Sequence, residues 1–177
     1  GRHLTFYPGV PEIFDELKGV EFYIVTAGVR EILEGSSLAQ RVSRIFGCEF
    51  DVNPEGRVCR PKRTIGHTTK TQMLFRINKN LLDMNQDVNV HMPDELRRIP
   101  FHRMIYVGDG PTDVPCFTVV TKYGGKAIAV YNPDDTTGRA QGEELFRLGR
   151  VDRVCPADYR EGSELRRTLE SYIEAMT

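Results

Sequence analysis

The sequence predicts an α/β fold, a doubly wound parallel sheet with helices on both faces and a small β-hairpin. Short apolar segments rich in β-branched residues alternate along the chain with segments of helical periodicity. Apolar strands of this kind are typical of parallel sheets, whose two faces are both buried. No internal repeat, low-complexity tract or long linker divides the 177 residues. We therefore expect one domain over residues 1–177.

The first half of the chain contains three helical patterns and three strand patterns. Pro11 suits the first turn of a helix, where its missing N–H is not needed. Ser36 or Ser37 is a typical N-cap for a later helix. The run Asn53–Gly56 is a turn signal between two strands, which predicts the β-hairpin. The expected elements are helix Pro11–Lys18, strand Val20–Thr26, helices Val29–Glu34 and Ser36–Ile45, and hairpin strands Phe46–Val52 and Arg57–Arg60.

The second half continues the alternation of strands and helices. Thr68 or Thr69 is a typical cap for a longer helix. The polar stretch Asn85–Pro100 predicts irregular chain with a short helix at Pro93–Arg97. The expected elements are helix Lys70–Asp83, strand Met104–Val107, a helix that follows Asp113 and ends near Tyr123, strand Lys126–Tyr131, helix Glu143–Leu148, strand Arg153–Cys155 and helix Ser163–Ala175.

Charge and composition exclude several classes of partner. Lys and Arg number 24 against 25 Asp and Glu, so the net charge of −1 gives no reason to expect a nucleic acid or a membrane surface. The four cysteines form no CxxC pair and have no histidine at metal-ligand spacing. We expect buried free thiols and a reducing, cytoplasmic compartment. The chain begins without a signal peptide or an initiator Met, so we expect the natural protein to begin earlier.

The ends of the predicted strands carry the candidate functional residues, because ligands of doubly wound sheets bind beyond the carboxyl ends of the strands. Asp109 and Asp113 lie four residues apart on a glycine-rich turn after strand Met104–Val107. Carboxylate oxygens so placed suit a hard cation such as Mg²⁺. The alternative is structural: Asp113 caps the following helix and Asp109 sits in a turn.

Two further positions have the chemistry of a phosphate site. Thr26 ends a buried strand, and Ala27 and Gly28 follow it near a helix N-terminus, where a hydroxyl and backbone N–H groups can bind phosphate oxygens. Lys70 begins a helix, where the helix dipole disfavours a cation, so its presence indicates a nearby anion. Each residue also has a structural interpretation: a β-branched strand residue for Thr26 and a solvated side chain for Lys70.

Taken in chain order, strand–Thr26, helix–Lys70 and strand–Asp109-x-x-x-Asp113 resemble the second, third and fourth motifs of the haloacid dehalogenase superfamily. The resemblance covers about Tyr7 to Tyr131, and the hairpin ahead of Lys70 resembles the phosphoserine-phosphatase-like branch. It implies a Mg²⁺-dependent hydrolase of small phosphomonoesters. Thr26 and Lys70 would hold the phosphoryl group, Asp109 would bind Mg²⁺ directly, and Asp113 would bind it through water or orient Lys70.

The first motif of that superfamily, an Asp-x-Asp at the end of the central strand, is absent from these residues. Its first Asp would form the aspartyl-phosphate. Without a central strand the sheet would have two exposed edges and a divided core, so we expect this strand, and any cap, to lie upstream of Gly1. The alternative is a degenerate relative that binds a phosphorylated ligand without turnover. Substrate identity and oligomeric state are left open.

Overall fold

The computed structural model describes residues 1 and 4–177, and its secondary structure is the mixed α/β type expected from the sequence. Helices and strands alternate through most of the chain. The elements are α1 Val10–Glu16, β1 Tyr23–Val29, α2 Arg30–Glu34, β2 Arg44–Val52, β3 Val58–Arg63, α3 His67–Lys79, β4 Ile105–Gly108, α4 Val114–Lys122, β5 Lys126–Tyr131, α5 Thr136–Arg147, β6 Arg153–Pro156 and α6 Glu164–Met176.

The strands form two sheets of three strands each. In the first sheet, β1 pairs in parallel with β2, and β2 pairs antiparallel with β3 through the predicted hairpin turn. In the second sheet, β4, β5 and β6 are all parallel and follow one another in order. The single parallel sheet predicted from the sequence is thus two separate sheets among the described residues, and the first is mixed. β1 and β4 are edge strands of their sheets.

Helices cover both faces of the second sheet, as predicted. The side chains of β5 alternate between the faces, as the period of a strand requires. Ile128 and Val130 belong to one apolar cluster, with residues of α1 and α6. Ala127 and Ala129 belong to another, with residues of α4 and α5. This near-continuous burial explains why β5 was recognisable from its sequence and has the predicted bounds.

One hydrophobic core connects the two sheets on the side of α3 and α4. Met73, Leu74 and Ile77 of α3 are buried in it, together with Phe46 of β2. Tyr23 and Val25 of β1 and Tyr106 of β4 pack against the same cluster. The two sheets are therefore held in one packed unit by the helices rather than by backbone hydrogen bonds between β1 and β4.

Several local predictions were wrong. Residues 36–43 form turns instead of a helix, and Ile45 belongs to β2 because Arg44–Val52 pairs with β1. Leu38 is still buried, which explains the apolar spacing that resembled a helix. Helix α3 begins at His67, with Gly66 rather than a threonine as its N-cap. The predicted short helix near Pro93 is a 3₁₀ turn over Asp94–Leu96.

The remaining global features concern the membrane and the thiols. Among residues 1 and 4–177, no helix has both the length and the apolar character needed to cross a membrane. All four cysteines are free, as predicted. Cys116 and Cys155 are buried, but Cys59 is exposed because it lies on the edge strand β3. Burial raises the pKa of the Cys116 thiol to about 11.

Candidate functional site

A buried ion pair joins helix α3 to the turn that follows β4. The Nζ atom of Lys70 lies 2.7 Å from Oδ1 of Asp113, with side chains only 8% and 5% exposed. Lys70 also donates to the Thr112 hydroxyl at 3.1 Å. The two charged residues are 43 positions apart in sequence, so the fold alone brings them together. The charge that is unfavourable near the N-terminus of α3 is thus compensated by a carboxylate.

Asp113 accepts hydrogen bonds from four donors, two on each carboxylate oxygen. The Tyr106 hydroxyl donates to Oδ1 at 2.6 Å, beside Lys70. The backbone N–H groups of Asp109 and Gly110 donate to Oδ2 at 3.3 and 3.2 Å. With both oxygens occupied by protein donors, Asp113 is placed to orient Lys70, and it is poorly placed to bind a metal directly.

Tyr106 is the member of this network that the sequence reasoning missed. Burial, followed by the negative charge of Asp113, raises its pKa far above the usual value, so the phenol stays protonated and donates. The alternation of side chains along a strand places Tyr106 on the same face as Gly108, against which Asp113 packs. That alternation is the signal in the sequence that identifies Tyr106 as a possible partner of the acidic turn.

Gly108 makes this arrangement possible. A Cβ atom at Gly108 would lie 2.7 Å from both Cβ and Cγ of Asp113, closer than packed carbon atoms approach. Gly110, the other glycine of the turn, has more room, because the nearest atom to its would-be Cβ is Oδ2 of Asp113 at 4.0 Å. The first glycine of the Gly-Asp-Gly sequence is therefore required by the packing of the Asp113 side chain.

Thr26, Ala27 and Gly28 lie in an irregular part of β1, where the pairing with β2 shifts register. The Gly28 N–H donates to Oγ1 of Thr26 at 2.9 Å, so this amide is already engaged. The Thr26 hydroxyl accepts there and keeps its own proton for donation. Gly47 of β2 permits the close approach, since a Cβ at Gly47 would lie 3.0 Å from the Gly28 carbonyl oxygen.

Asp109 differs from Asp113 in being exposed, although it lies at the end of the same strand. Within residues 1 and 4–177 its carboxylate has no ion-pair partner, and only its backbone N–H is engaged, by Asp113. The same part of the chain contains no group of three or more His, Cys, Asp or Glu side chains able to hold a metal ion. Mg²⁺ commonly takes one or two carboxylates, with waters and phosphate oxygens completing its shell. Asp109 therefore fits as one Mg²⁺ ligand in an incomplete set.

A cavity of about 690 Å³ brings most of the predicted site residues together. Its lining includes Thr26, Lys70, Asp109 and Asp113, whereas Ala27 and Gly28 lie outside it. Much of the rest of the lining comes from the edge strands β1 and β4, from helices on both faces and from the loops that lead into β1 and β4. The cavity thus occupies the gap between the two sheets, and Asp109 and Asp113 line it just beyond the carboxyl end of β4.

Comparison with known proteins gives a distant relationship without a function. No family model matches the chain. An uncharacterised protein of Borreliella burgdorferi (strain B31) is 28% identical over 193 residues, which covers 93% of this chain. The chain spans 65% of that relative's length. The alignment is longer than the 177 residues of the chain, so the relative has residues inside the matched region that this chain lacks.

Proposed function

We propose that this chain contributes the phosphate-binding and metal-binding groups of a Mg²⁺-dependent phosphomonoester hydrolase of the haloacid dehalogenase type. The observation that carries the proposal is the buried Lys70–Asp113 pair, which opens on the same cavity as Thr26 and Asp109. A cation, a hydroxyl and a free carboxylate in the lining of one cavity are the groups that phosphoryl transfer needs for positioning and charge neutralisation. The substrate class is a small phosphorylated metabolite.

Lys70 has the most direct role in this proposal. Its ammonium is held in place by Asp113 and Thr112, so it needs no reorganisation when negative charge develops on the phosphoryl group. The Thr26 hydroxyl accepts from Gly28 and donates its own proton to a phosphoryl oxygen. Asp109 would be a direct ligand of Mg²⁺, which when bound supplies positive charge against the phosphate oxygens. Asp113 acts through Lys70.

The nucleophile must come from outside the described residues, and the cavity supports a position for it. We propose that an extended segment lies between β1 and β4, pairs with both edges and joins the two sheets into one doubly wound sheet. Helices α1 and α6 line the cavity on one side and α3 lines it on the other, as they would line the two faces of a strand. The carboxyl end of this segment would place an Asp beside Lys70.

A second candidate function follows from the carboxylates that line the cavity. Glu21 is paired with Arg98, and Asp113 is paired with Lys70, which leaves Asp109 as the free carboxylate among the described lining residues. The described residues therefore offer candidate phosphate-binding groups but, with Asp109 assigned to Mg²⁺, no further free side-chain carboxylate in the cavity lining that could act as a nucleophile. This favours, as the alternative, a module that binds a phosphorylated ligand without turnover. The four free thiols support the proposed cytoplasmic location of either form.

The test is phosphate release by the intact natural protein from a panel of phosphomonoesters, with and without Mg²⁺. We expect Mg²⁺-dependent turnover that falls by about 10²-fold or more in Asp109→Asn and in Lys70→Ala, the latter mainly through kcat. The matched control is Asp134→Asn, which removes an exposed carboxylate from a neighbouring loop. Phosphate binding that requires Lys70, without turnover, would favour the binding module. If the unmodified protein neither binds phosphate nor hydrolyses any phosphomonoester, both functions are refuted.

A further inference from the structure

Two tyrosines line the cavity near Asp109, beyond the carboxyl end of β4. Tyr7 precedes α1 and Tyr159 follows β6, so they come from opposite ends of the chain. Both line the cavity together with Asp109. We refer to Tyr7 and Tyr159 as the tyrosine pair. Neither residue has a role in the proposed phosphoryl transfer.

The backbone fixes the tyrosine pair in position. The Tyr159 N–H donates to the Pro8 carbonyl at 2.7 Å, which ties the turn after Tyr7 to the loop after β6. Gly9 has a positive φ of 79°, and a Cβ there would lie 2.4 Å from the backbone nitrogen of Arg160. The contact between the two segments therefore depends on a glycine, because an L side chain would be strained in φ and would collide with the facing backbone.

Both phenols are free to donate to a ligand. Neither hydroxyl hydrogen-bonds to another side chain in the part of the chain that the structure describes. An ordinary phenol is protonated at neutral pH, so each of these two lining residues offers an O–H donor and ring atoms to a ligand.

We propose that the tyrosine pair binds the alcohol portion of the substrate and selects phosphomonoesters of ring-bearing alcohols that carry hydrogen-bond acceptors. This inference rests on the proposed function, because it places the phosphoryl group at Lys70 and Asp109 and the alcohol portion beyond the carboxyl end of the segment that we propose between β1 and β4. A ring covers the aromatic faces while its oxygen atoms accept from the two phenols. A short aliphatic alcohol leaves the donors unpaired and the rings uncovered, and a site with buried donors rejects ligands that cannot pair them.

The experiment compares ring-bearing and short-chain substrates in the intact natural protein and in Tyr7→Phe and Tyr159→Phe. The ring-bearing probes are glucose 6-phosphate and 4-nitrophenyl phosphate, which distinguish a polyhydroxylated ring from an aromatic one; the short-chain probe is ethyl phosphate. We expect each variant to raise KM for the preferred ring-bearing probe about tenfold, the factor for one lost hydrogen bond. We expect kcat to change less than about twofold and ethyl phosphate to be unaffected.

Tyr172→Phe is the matched control. Tyr172 lies on α6, where its ring contacts Lys126, and it does not line the cavity. Equal KM values for ring-bearing and short-chain esters in the unmodified protein would refute the selection. Equal losses for all substrates in the Phe variants would also refute it, because a merely structural role acts on every substrate alike.

Calorimetric titration separates this inference from the proposed function. If no phosphomonoester is hydrolysed, the same three esters are titrated as ligands into the unmodified protein and the Phe variants. Tighter binding of a ring-bearing ester that is lost in Tyr7→Phe or Tyr159→Phe would support the tyrosine pair even though hydrolysis has failed. Binding that does not distinguish ring-bearing from short-chain esters would refute the tyrosine pair whatever the outcome for hydrolysis.

Discussion

Removing one member of the buried Lys70–Asp113 pair should cost more stability when Asp113 is the member removed. In Asp113→Asn, Lys70 stays charged and buried with the Thr112 hydroxyl as its remaining partner. Four groups donate to the Asp113 carboxylate, two to each oxygen. In the Asn variant the side-chain NH₂ group replaces one of these oxygens, so it faces two donors and cannot accept from them. Leaving a buried charge uncompensated costs about 3–5 kcal/mol of unfolding free energy.

In Lys70→Met, by contrast, the Asp113 carboxylate keeps three donors, one phenol and two backbone N–H groups. The loss is then one charge-assisted hydrogen bond and its Coulomb energy, about 1.5–3 kcal/mol. The double variant Lys70→Met/Asp113→Asn should lose less unfolding free energy than the sum of the losses in the two single variants, because it leaves no unpaired buried charge.

Urea unfolding at fixed pH and ionic strength measures these differences through the midpoint and slope of the transition. Asp109→Asn is the control, because this exposed carboxylate has no ion-pair partner in the described part of the chain; it should change stability by less than about 0.5 kcal/mol. If Asp113→Asn fails to fold, a folded double variant still demonstrates the coupling. A cost for Lys70→Met that equals or exceeds that for Asp113→Asn, or strict additivity, would refute this account of the network.

Two further predictions concern the same turn. Gly108→Ala should lower the free energy of unfolding by about 3 kcal/mol or more, because its Cβ would lie 2.7 Å from the side chain of Asp113. Gly110→Ala should cost less than about 1 kcal/mol, because its Cβ has room. Denaturant midpoints of the two variants make the comparison, and equal costs would contradict the packing argument. The raised pKa of Tyr106 means that the folded protein holds this proton more tightly than the unfolded chain, so its contribution is complete below pH 10.0, the ordinary pKa of the phenol, and declines as the pH rises above it. Unfolding free energies measured from neutral to alkaline pH should fall less steeply in Tyr106→Phe, and an unchanged slope would contradict the prediction.

The candidate site was partly predictable from residue types at the ends of the predicted strands and at the start of a predicted helix. Thr26, Lys70, Asp109 and Asp113 were all identified from local chemistry, and the structure places all four around one cavity. The partners of Asp113 were less accessible to sequence reasoning. Tyr106 looked like an ordinary strand residue, and its hydrogen bond depends on which face of β4 meets the acidic turn.

The sequence by itself determined the α/β class, the hairpin and the buried strand Lys126–Tyr131, because these depend on local periodicity and turn chemistry. Tertiary structure decided the rest. Residues 36–43 are turns because the strand Arg44–Val52 pairs with β1, a contact between distant segments that outweighs local helical spacing. The burial of Lys70 against Asp113, and the meeting of Tyr7 with Tyr159 from opposite ends of the chain, likewise exist only once the chain has folded. The local sequence does not identify the partners in such contacts, because their energy comes from packing and charge pairing between residues far apart in sequence.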